Sequence, residues 1–332
     1  MLPSLPRIGR RRALQGAAAL LAVCGLLLWW LLPPRTPSPE GRITFSTGVP
    51  TGVYQRYGTL LEEALRQHLP KVGVTLRTSE GSQQNLRRVA RGEADFTVAT
   101  ADAVAKYQRD GSEGAGGLRG CARLYDDYVQ LVVPTNSAIR AVGDLRDKRV
   151  AVGQEGSGVR LVSNRLLAAA GLDPERDVKP VSIGIDTMPG RLEEGGIDAF
   201  FWSGGLPTSA VRDLSRRMPV RLVPLGPELV EALQKPGDTT RYYRSAVMPA
   251  DAYAHVSNKA AVPTVAVANL LVTRDRTDAV LTERFTQTVI ASRDRIGRQV
   301  HAAQLVDLRT AIYTDPLPLH EGAARYYRSV KP

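Results

Sequence analysis

Beyond residue 40 the apolar residues of this chain follow two periods that take turns. Short runs of β-branched and aromatic residues alternate with stretches in which apolar positions fall three and four apart. Residues 42–46 (RITFS) predict a strand, and Tyr54, Tyr57, Leu60, Leu61, Ala64 and Leu65 mark one face of the helix after it. Residues 74–78 read as a second strand and 83–91 as a helix with Ser82 at its N-cap. Residues 96–99 are a buried third strand, with Thr100, Ala101 and Asp102 opening the next helix. A long strand over 121–133 follows. Then come strands at 149–153, 178–182, 197–202 and 220–223, with helices at 159–170, 189–194 and 209–216. Gly171 stops the first of these helices. The apolar run 264–272 and helices over 279–293 and 302–311 end the pattern. Such alternation predicts βαβ units and mainly parallel sheets. One sheet through all of it would be unusually large, so two sheets are expected, with a crossover near 134–139 and the carboxyl segment returning to the first.

The loops at strand ends carry the candidate chemistry. Ser46 to Tyr54 lies at the carboxyl end of a strand and the amino end of a helix, where open α/β sheets bind ligands. Free amides and the helix dipole favour an anion there, and Gly48 and Gly52 let the backbone come close. Turn chemistry alone explains the same composition. Glycine- and serine-bearing loops recur at 79–82, 154–158 and 203–207. The candidate contacts are Thr47, Gly48, Thr51, Gly52, Val53, Tyr54, Ser82, Asn85, Ser157, Gly158, Trp202, Ser203 and Gly204. Opposed helix amino termini can hold a carboxylate through neutral donors, without a buried arginine. Tyr54 and Trp202 are candidates for an apolar wall. The loop at 154–158 is no G-x-S-x-G elbow, because Glu155 stands where the first glycine belongs.

Residues 13–32 hold a single polar residue, Gln15, and follow Arg10, Arg11 and Arg12. That span is long enough for a bilayer. The basic side stays cytoplasmic and Trp29 and Trp30 suit the outer interface. No small-residue cleavage site follows the apolar run, so an uncleaved signal anchor is favoured over a cleaved leader. The organisation expected is a basic segment (1–12), a transmembrane helix (13–32) and a linker (33–40). A first lobe (41–135), a second lobe (136–245) and a return to hinge and first lobe (246–332) complete it. The chain is then a cell-membrane protein with its carboxyl-terminal domain outside.

Of the net charge of +11, five units fall in the leader. The rest is dispersed arginine without the aromatic interleaving of a nucleic-acid surface, so no nucleic-acid partner is expected. Cys121 is the one cysteine beyond the leader, where Cys24 lies, which excludes an internal disulfide in the folded part. The four histidines have no metal spacing. Glu93 and Asp95 are better explained by a helix-to-strand turn than as a catalytic pair, and Asp198 by a backbone partner on a strand. No catalytic residue, cofactor or metal is assigned, and a monomer is expected.

In order along the chain, Thr47-Gly48 with Gly52-Val53-Tyr54, Thr78-x-x-Gly81-Ser82-x-x-Asn85-Leu86 and Gly92-Glu93-Ala94-Asp95 resemble the motifs of the TAXI solute receptors of TRAP transporters. Val150-Ala151-Val152-Gly153 with Gly156-Ser157-Gly158, Gly196-Ile197-Asp198-Ala199-Phe200-Phe201, Thr264-Val265-Ala266-Val267 and Pro318-Leu319-His320 with Gly322-Ala323 continue the resemblance over residues 41–328. It implies a type II periplasmic-binding-protein fold, with two α/β lobes closing on a small carboxylate-bearing solute such as glutamate, glutamine or a dicarboxylate. It also implies delivery to a TRAP-type permease. An anchored sensor that signals to a histidine kinase is the alternative, and an enzyme on a binding-protein fold a remote one. The apparent anchor departs from the cleavable leader usual in that family, and Val159 stands where a threonine is common.

Overall fold

The computed structural model describes residue 15, residues 20–25 and residues 38–330. Most of the span expected to cross the membrane lies outside the described residues. Within it, residues 20–25 are helical and exposed. Among the described residues no helix is long and apolar enough to cross a membrane.

The body begins with three parallel strands, β1 (Gly41–Ser46), β2 (Val72–Arg77) and β3 (Phe96–Thr100), with β1 in the middle. Helix α1 (Val53–His68) joins β1 to β2 and buries Tyr57, Leu60, Leu61, Ala64 and Leu65, a stripe of helical period. Helices α2 (Ser82–Arg91) and α3 (Ala101–Arg109) flank β3. The predicted N-cap of α2 moves by one residue: Gly81 holds that place at φ +128°, and Ser82 is the first helical residue.

The chain then enters β4 (Leu118–Pro134), a strand of 17 residues. Strands β5 (Arg149–Ala151), β6 (Lys179–Val181) and β7 (Ala199–Gly204) form a second parallel set with β5 central. Helices α4 (Gly158–Ala169), α5 (Met188–Glu193) and α6 (Ser209–Arg217) pack about it. Strand β8 (Val220–Val223), helix α7 (Pro227–Gln234) and strand β9 (Tyr243–Met248) lead to the 13-residue β10 (Val262–Arg274).

The two expected sheets are one sheet of ten strands, in the order β2-β1-β3-β10-β4-β7-β5-β6, with β8 on β4 and β9 on β10. Continuity comes from the two long strands. Along β4, Leu118 to Tyr128 pairs with β10 and Tyr128 to Val132 with β7. Along β10, residues 269–272 pair with β3 and residues 262–267 with β9. The apolar core nevertheless divides. One cluster runs from Val129 through the second strand set to Val267, and two others hold the first set, including Tyr125, Leu270 and Leu271. Two lobes thus share one backbone ladder but not one core, and the change of lobe falls inside β4 and β10 rather than in the loop after β4.

The carboxyl segment packs on the first lobe. Helix α8 (Ala279–Ala291) stacks Phe285 on Phe96, centroids 4.1 Å apart, and α9 (Glu321–Val330) buries Tyr327, which donates to the Cys121 carbonyl. The helix expected over 302–311 is not continuous. A 3₁₀ turn at His301–Leu305 is followed by a new helix of four residues, Leu308–Ala311, because the Asp307 carboxylate accepts from Arg309 N and starts it afresh.

Candidate functional site

The carboxyl ends of β1, β2, β3, β5, β6 and β7 and the middle of β4 converge on one cleft. The space between its walls, open solvent at the mouth included, is about 590 Å³. From the first lobe come Gly48, Val49, Gly52, Val53, Tyr54, Glu80, Gly81, Ser82 and Thr100. The second lobe supplies Gln154, Ser157, Gly158, Val159, Ile185, Met188, Trp202, Ser203 and Gly204, among others, and the floor is Asp127.

Of the residues singled out from the sequence, Gly48, Gly52, Val53, Tyr54, Ser82, Ser157, Gly158, Trp202, Ser203 and Gly204 meet at this cleft. Three do not line it. Thr47 is buried behind its loop, donating to Gln55 and to the Arg77 carbonyl. Asn85 is fully buried, donates to the carbonyls of Thr47 and Val98, and accepts from Ser46. Both are used up in holding the β1 loop onto β2 and β3, because a buried amide must find partners in the protein. Thr51 is exposed on the outer rim beside Arg56.

Helices α1 and α2 start at Gly52 and Gly81 with no side-chain cap, which leaves their first amides for another acceptor. Helix α4 differs. Ser157 Oγ accepts from Arg160 N and donates to the Gln154 carbonyl, so this hydroxyl is already satisfied and only backbone is left for a ligand. Gly81 and Ser157 meet across the lobes: a Cβ on Gly81 would stand 3.4 Å from Ser157 Cα. Gln84 N donates to the Gly156 carbonyl at 3.0 Å and Gln83 Nε2 to the Ser157 carbonyl at 2.8 Å. These bonds run directly from lobe to lobe, so the cleft is closed at this rim.

A hydrogen-bonded chain crosses the floor. Ser82 Oγ lies 3.1 Å from Tyr54 Oη, which donates to Asn269 Oδ1, and Asn269 Nδ2 donates to Asp127 Oδ1 at 2.7 Å. It links α2, α1, β10 and β4. Burial pushes the Asp127 carboxyl up to about 7; the charges of Asp126 and Asp102 push the same way, and the Asn269 amide opposes them. Burial, with the Asp127 charge behind it, raises the Tyr54 phenol. Ser203 Oγ lies near enough to lower the Asp127 pKa, yet is buried without a hydrogen bond of good geometry. Tyr54 therefore joins a polar network as well as forming a wall. Trp202 is nearly buried, with its Nε1 tied to Thr208 Oγ1, and offers the cleft an apolar face.

Sequence reasoning missed several lining residues, Glu80, Thr100, Gln154, Ile185 and Met188 among them, and it missed the pair at the floor, Asp127 with Asn269 behind it. Asp127 lies in 124–132, a mainly apolar and aromatic run that also holds Asp126 and Gln130, and Asn269 in 264–272, whose other polar residue is Thr264; polar residues inside such runs are the signal that was there to be read. By contrast, Asp95 and Asp198 hold backbone. Asp95 accepts from Thr44 N at 2.8 Å and Asp198 from Arg149 N at 2.7 Å.

A cleft between two α/β lobes joined by paired long strands, lined by helix amino termini, defines a periplasmic-binding-protein-like fold. The chain belongs to the NMT1-like family, whose pattern it matches over residues 45–330. A solved structure from Bordetella bronchiseptica RB50 has 17% identity and a TM-score of 0.50, covering 88% of this chain and 90% of its own. The alkanesulfonate-binding protein SsuA from Xanthomonas axonopodis pv. citri bound to MOPS has 19% identity and a TM-score of 0.49, covering 90% and 86%. An ancestral arginine-binding protein bound to arginine has 14% identity and a TM-score of 0.48, covering 79% and 98%.

Proposed function

We propose that this protein is an extracytoplasmic solute receptor that captures a small organic solute by closure of its two lobes and presents it to a membrane importer. The observation that supports it is the meeting of uncapped helix amino termini and an apolar wall at the junction of two lobes connected by two long strands. A carboxylate on the solute docks on the amides at the starts of α1, α2 and α4, where neutral donors suffice. Closure requires only a few backbone dihedrals to change where β4 and β10 pass between the lobes. Binding near ~1 μM corresponds to about 8 kcal/mol, within reach of several charge-assisted hydrogen bonds and a dry apolar wall after the cost of closure.

The finer reading takes the importer as a TRAP-type permease and residues 13–32 as an uncleaved anchor. The motif order supports the first and the apolar span the second. Intact mass of the exported protein tests the anchor: retention of Met1 is expected, and an amino terminus near Pro34 overturns it. The receptor reading is tested by a thermal-shift screen against glutamate, glutamine, 2-oxoglutarate and C4-dicarboxylates, followed by calorimetry. A saturable one-to-one interaction is expected. No shift from cooperatively folded protein favours a different solute class or a partner-dependent sensor.

A further inference from the structure

We infer that the solute carries a protonated amine and that Asp127 is the counter-ion selecting it; this rests on the receptor reading above and names the solute's other end.

Two adjacent carboxylates on β4 make the case. Asp126 and Asp127 point to opposite faces of the sheet, as successive strand residues must. On one face Asp126 is paired with Arg123, at 2.5 Å, and with Arg244. On the other, Asp127 is 4% exposed and has no cation; its one hydrogen bond among the described residues is from Asn269 to Oδ1. Beyond that bond only Ser203 Oγ stands near the carboxylate, without good hydrogen-bond geometry, and the side chain lines the cleft. Glu80, on the rim of the same cleft, carries a buried oxygen without a partner.

The chain has 44 lysines and arginines, yet none of them, and no histidine, lines the cleft among the described residues. A buried carboxylate without a counter-charge costs several kcal/mol. The groups around Asp127 do not supply one. Asp126 on its own strand, Asp102 at the start of α3 and Glu80 above it are acidic, Tyr54 on α1 is a phenol, and Ser203 on β7 and Asn269 on β10 are neutral. A metal ion is a poor substitute, because no group of three or more His, Cys, Asp or Glu is gathered among the described residues, and hard cations need many oxygens. An ammonium group offers three donors to the free oxygens of this floor. Together with the amides that face the solute's carboxylate, it makes the cleft selective for a zwitterion. A dicarboxylate or keto acid brings a second negative or neutral end to an acidic floor.

The test is calorimetric titration of the full-length chain, in detergent, with the twenty amino acids and their 2-keto counterparts, which differ chiefly in the amine. For the amino acid that binds best, its keto partner is expected to bind about 30-fold more weakly or worse, the range for losing one partner of a buried charge pair. In Asp127→Asn that preference should collapse to within about threefold. Asp126→Asn, altered on the opposite face, should keep it. Thermal unfolding of each variant shows that it is folded. A keto acid bound as tightly as its amino partner, or a preference that survives in Asp127→Asn, overturns the inference and leaves the receptor reading standing. No saturable binding by any member of either set, from cooperatively folded protein, removes both.

Discussion

Both lobes use one building plan, and they differ in what they bring to the cleft. In each, a central strand is gripped by an aspartate at the start of the neighbouring parallel strand. Asp95 exchanges its N–H and carboxylate with the backbone of Thr44, and Asp198 does the same with Arg149. The repeated element is therefore scaffold. At the cleft the likeness ends: the first lobe and the hinge strands supply the Ser82–Tyr54–Asn269–Asp127 chain and the Glu80 carboxylate. From the second lobe come backbone at Ser157 and Gly158 and the faces of Trp202, Met188 and Ile185. On the proposed reading the acidic end of the cleft belongs to the first lobe and the hinge strands, and the second lobe adds backbone donors and an apolar wall.

The strongest way to break this comparison is to fill the second lobe's side. Ser157→Trp should lower solute affinity by at least about 100-fold; losing its cap costs about 1 kcal/mol of stability and the added bulk at this closed rim about 1–3 kcal/mol more. Calorimetry and thermal unfolding read the two effects separately, and unchanged affinity would place the solute elsewhere.

The tie between lobes outside the cleft gives a second test. Arg165 on α4 reaches Asp102 at 3.2 Å, and also Thr239 and the Tyr243 hydroxyl, with both charged groups largely buried. Arg165→Met strands Asp102 and should cost about 3–5 kcal/mol. Small-angle scattering should show a larger radius of gyration if this pair helps keep the lobes shut. An unchanged radius would assign closure to the rim bonds alone.

A pH series sharpens the first lobe's part. Asp127 has a raised folded pKa, so the native state holds its proton more tightly than the unfolded chain. Its contribution is complete below the ordinary carboxyl range near 4 and is lost as pH rises through about 7. At pH 8 Asp127→Asn should thus be the more stable protein, by up to about 4 kcal/mol, and the difference should shrink towards pH 4. Parallel stability curves for the two proteins would remove the buried charge from the account.

The smallest effect compares the shared aspartates. Asp95→Ala and Asp198→Ala should each cost about 1–2 kcal/mol. The hydrogen bond from the Arg149 side chain lowers the Asp198 carboxyl. Its share is present at neutral pH and lost as pH falls through that lowered value. Equal costs confirm the repeated scaffold, and a null result in one lobe breaks the parallel.

Much of the cleft was legible because its loops are local. Gly48, Gly52, Ser82, Ser157, Gly158 and Ser203 sit where a strand pattern gives way to a helix pattern, and such junctions gather at one sheet edge. Asn85 and Thr47 carried the same local signal and proved to be supports. Nothing in a short window says whether a polar side chain faces a ligand or a neighbouring carbonyl. Asp126 and Asp127 show the same limit more sharply: alternation puts them on opposite faces but does not say which face is the cleft.

From the sequence alone came the alternation of periods, and with it the α/β class, the helix faces and the position of each glycine-rich turn. All of these depend on neighbours within a few residues. The single ten-stranded sheet, the floor at Asp127 and the charge of the site were decided by tertiary structure. They depend on β10 lying between β3 and β4, which sets Asn269 against Asp127 across 142 residues of chain. Register between distant strands is chosen by the packing of whole faces, and no local pattern contains it.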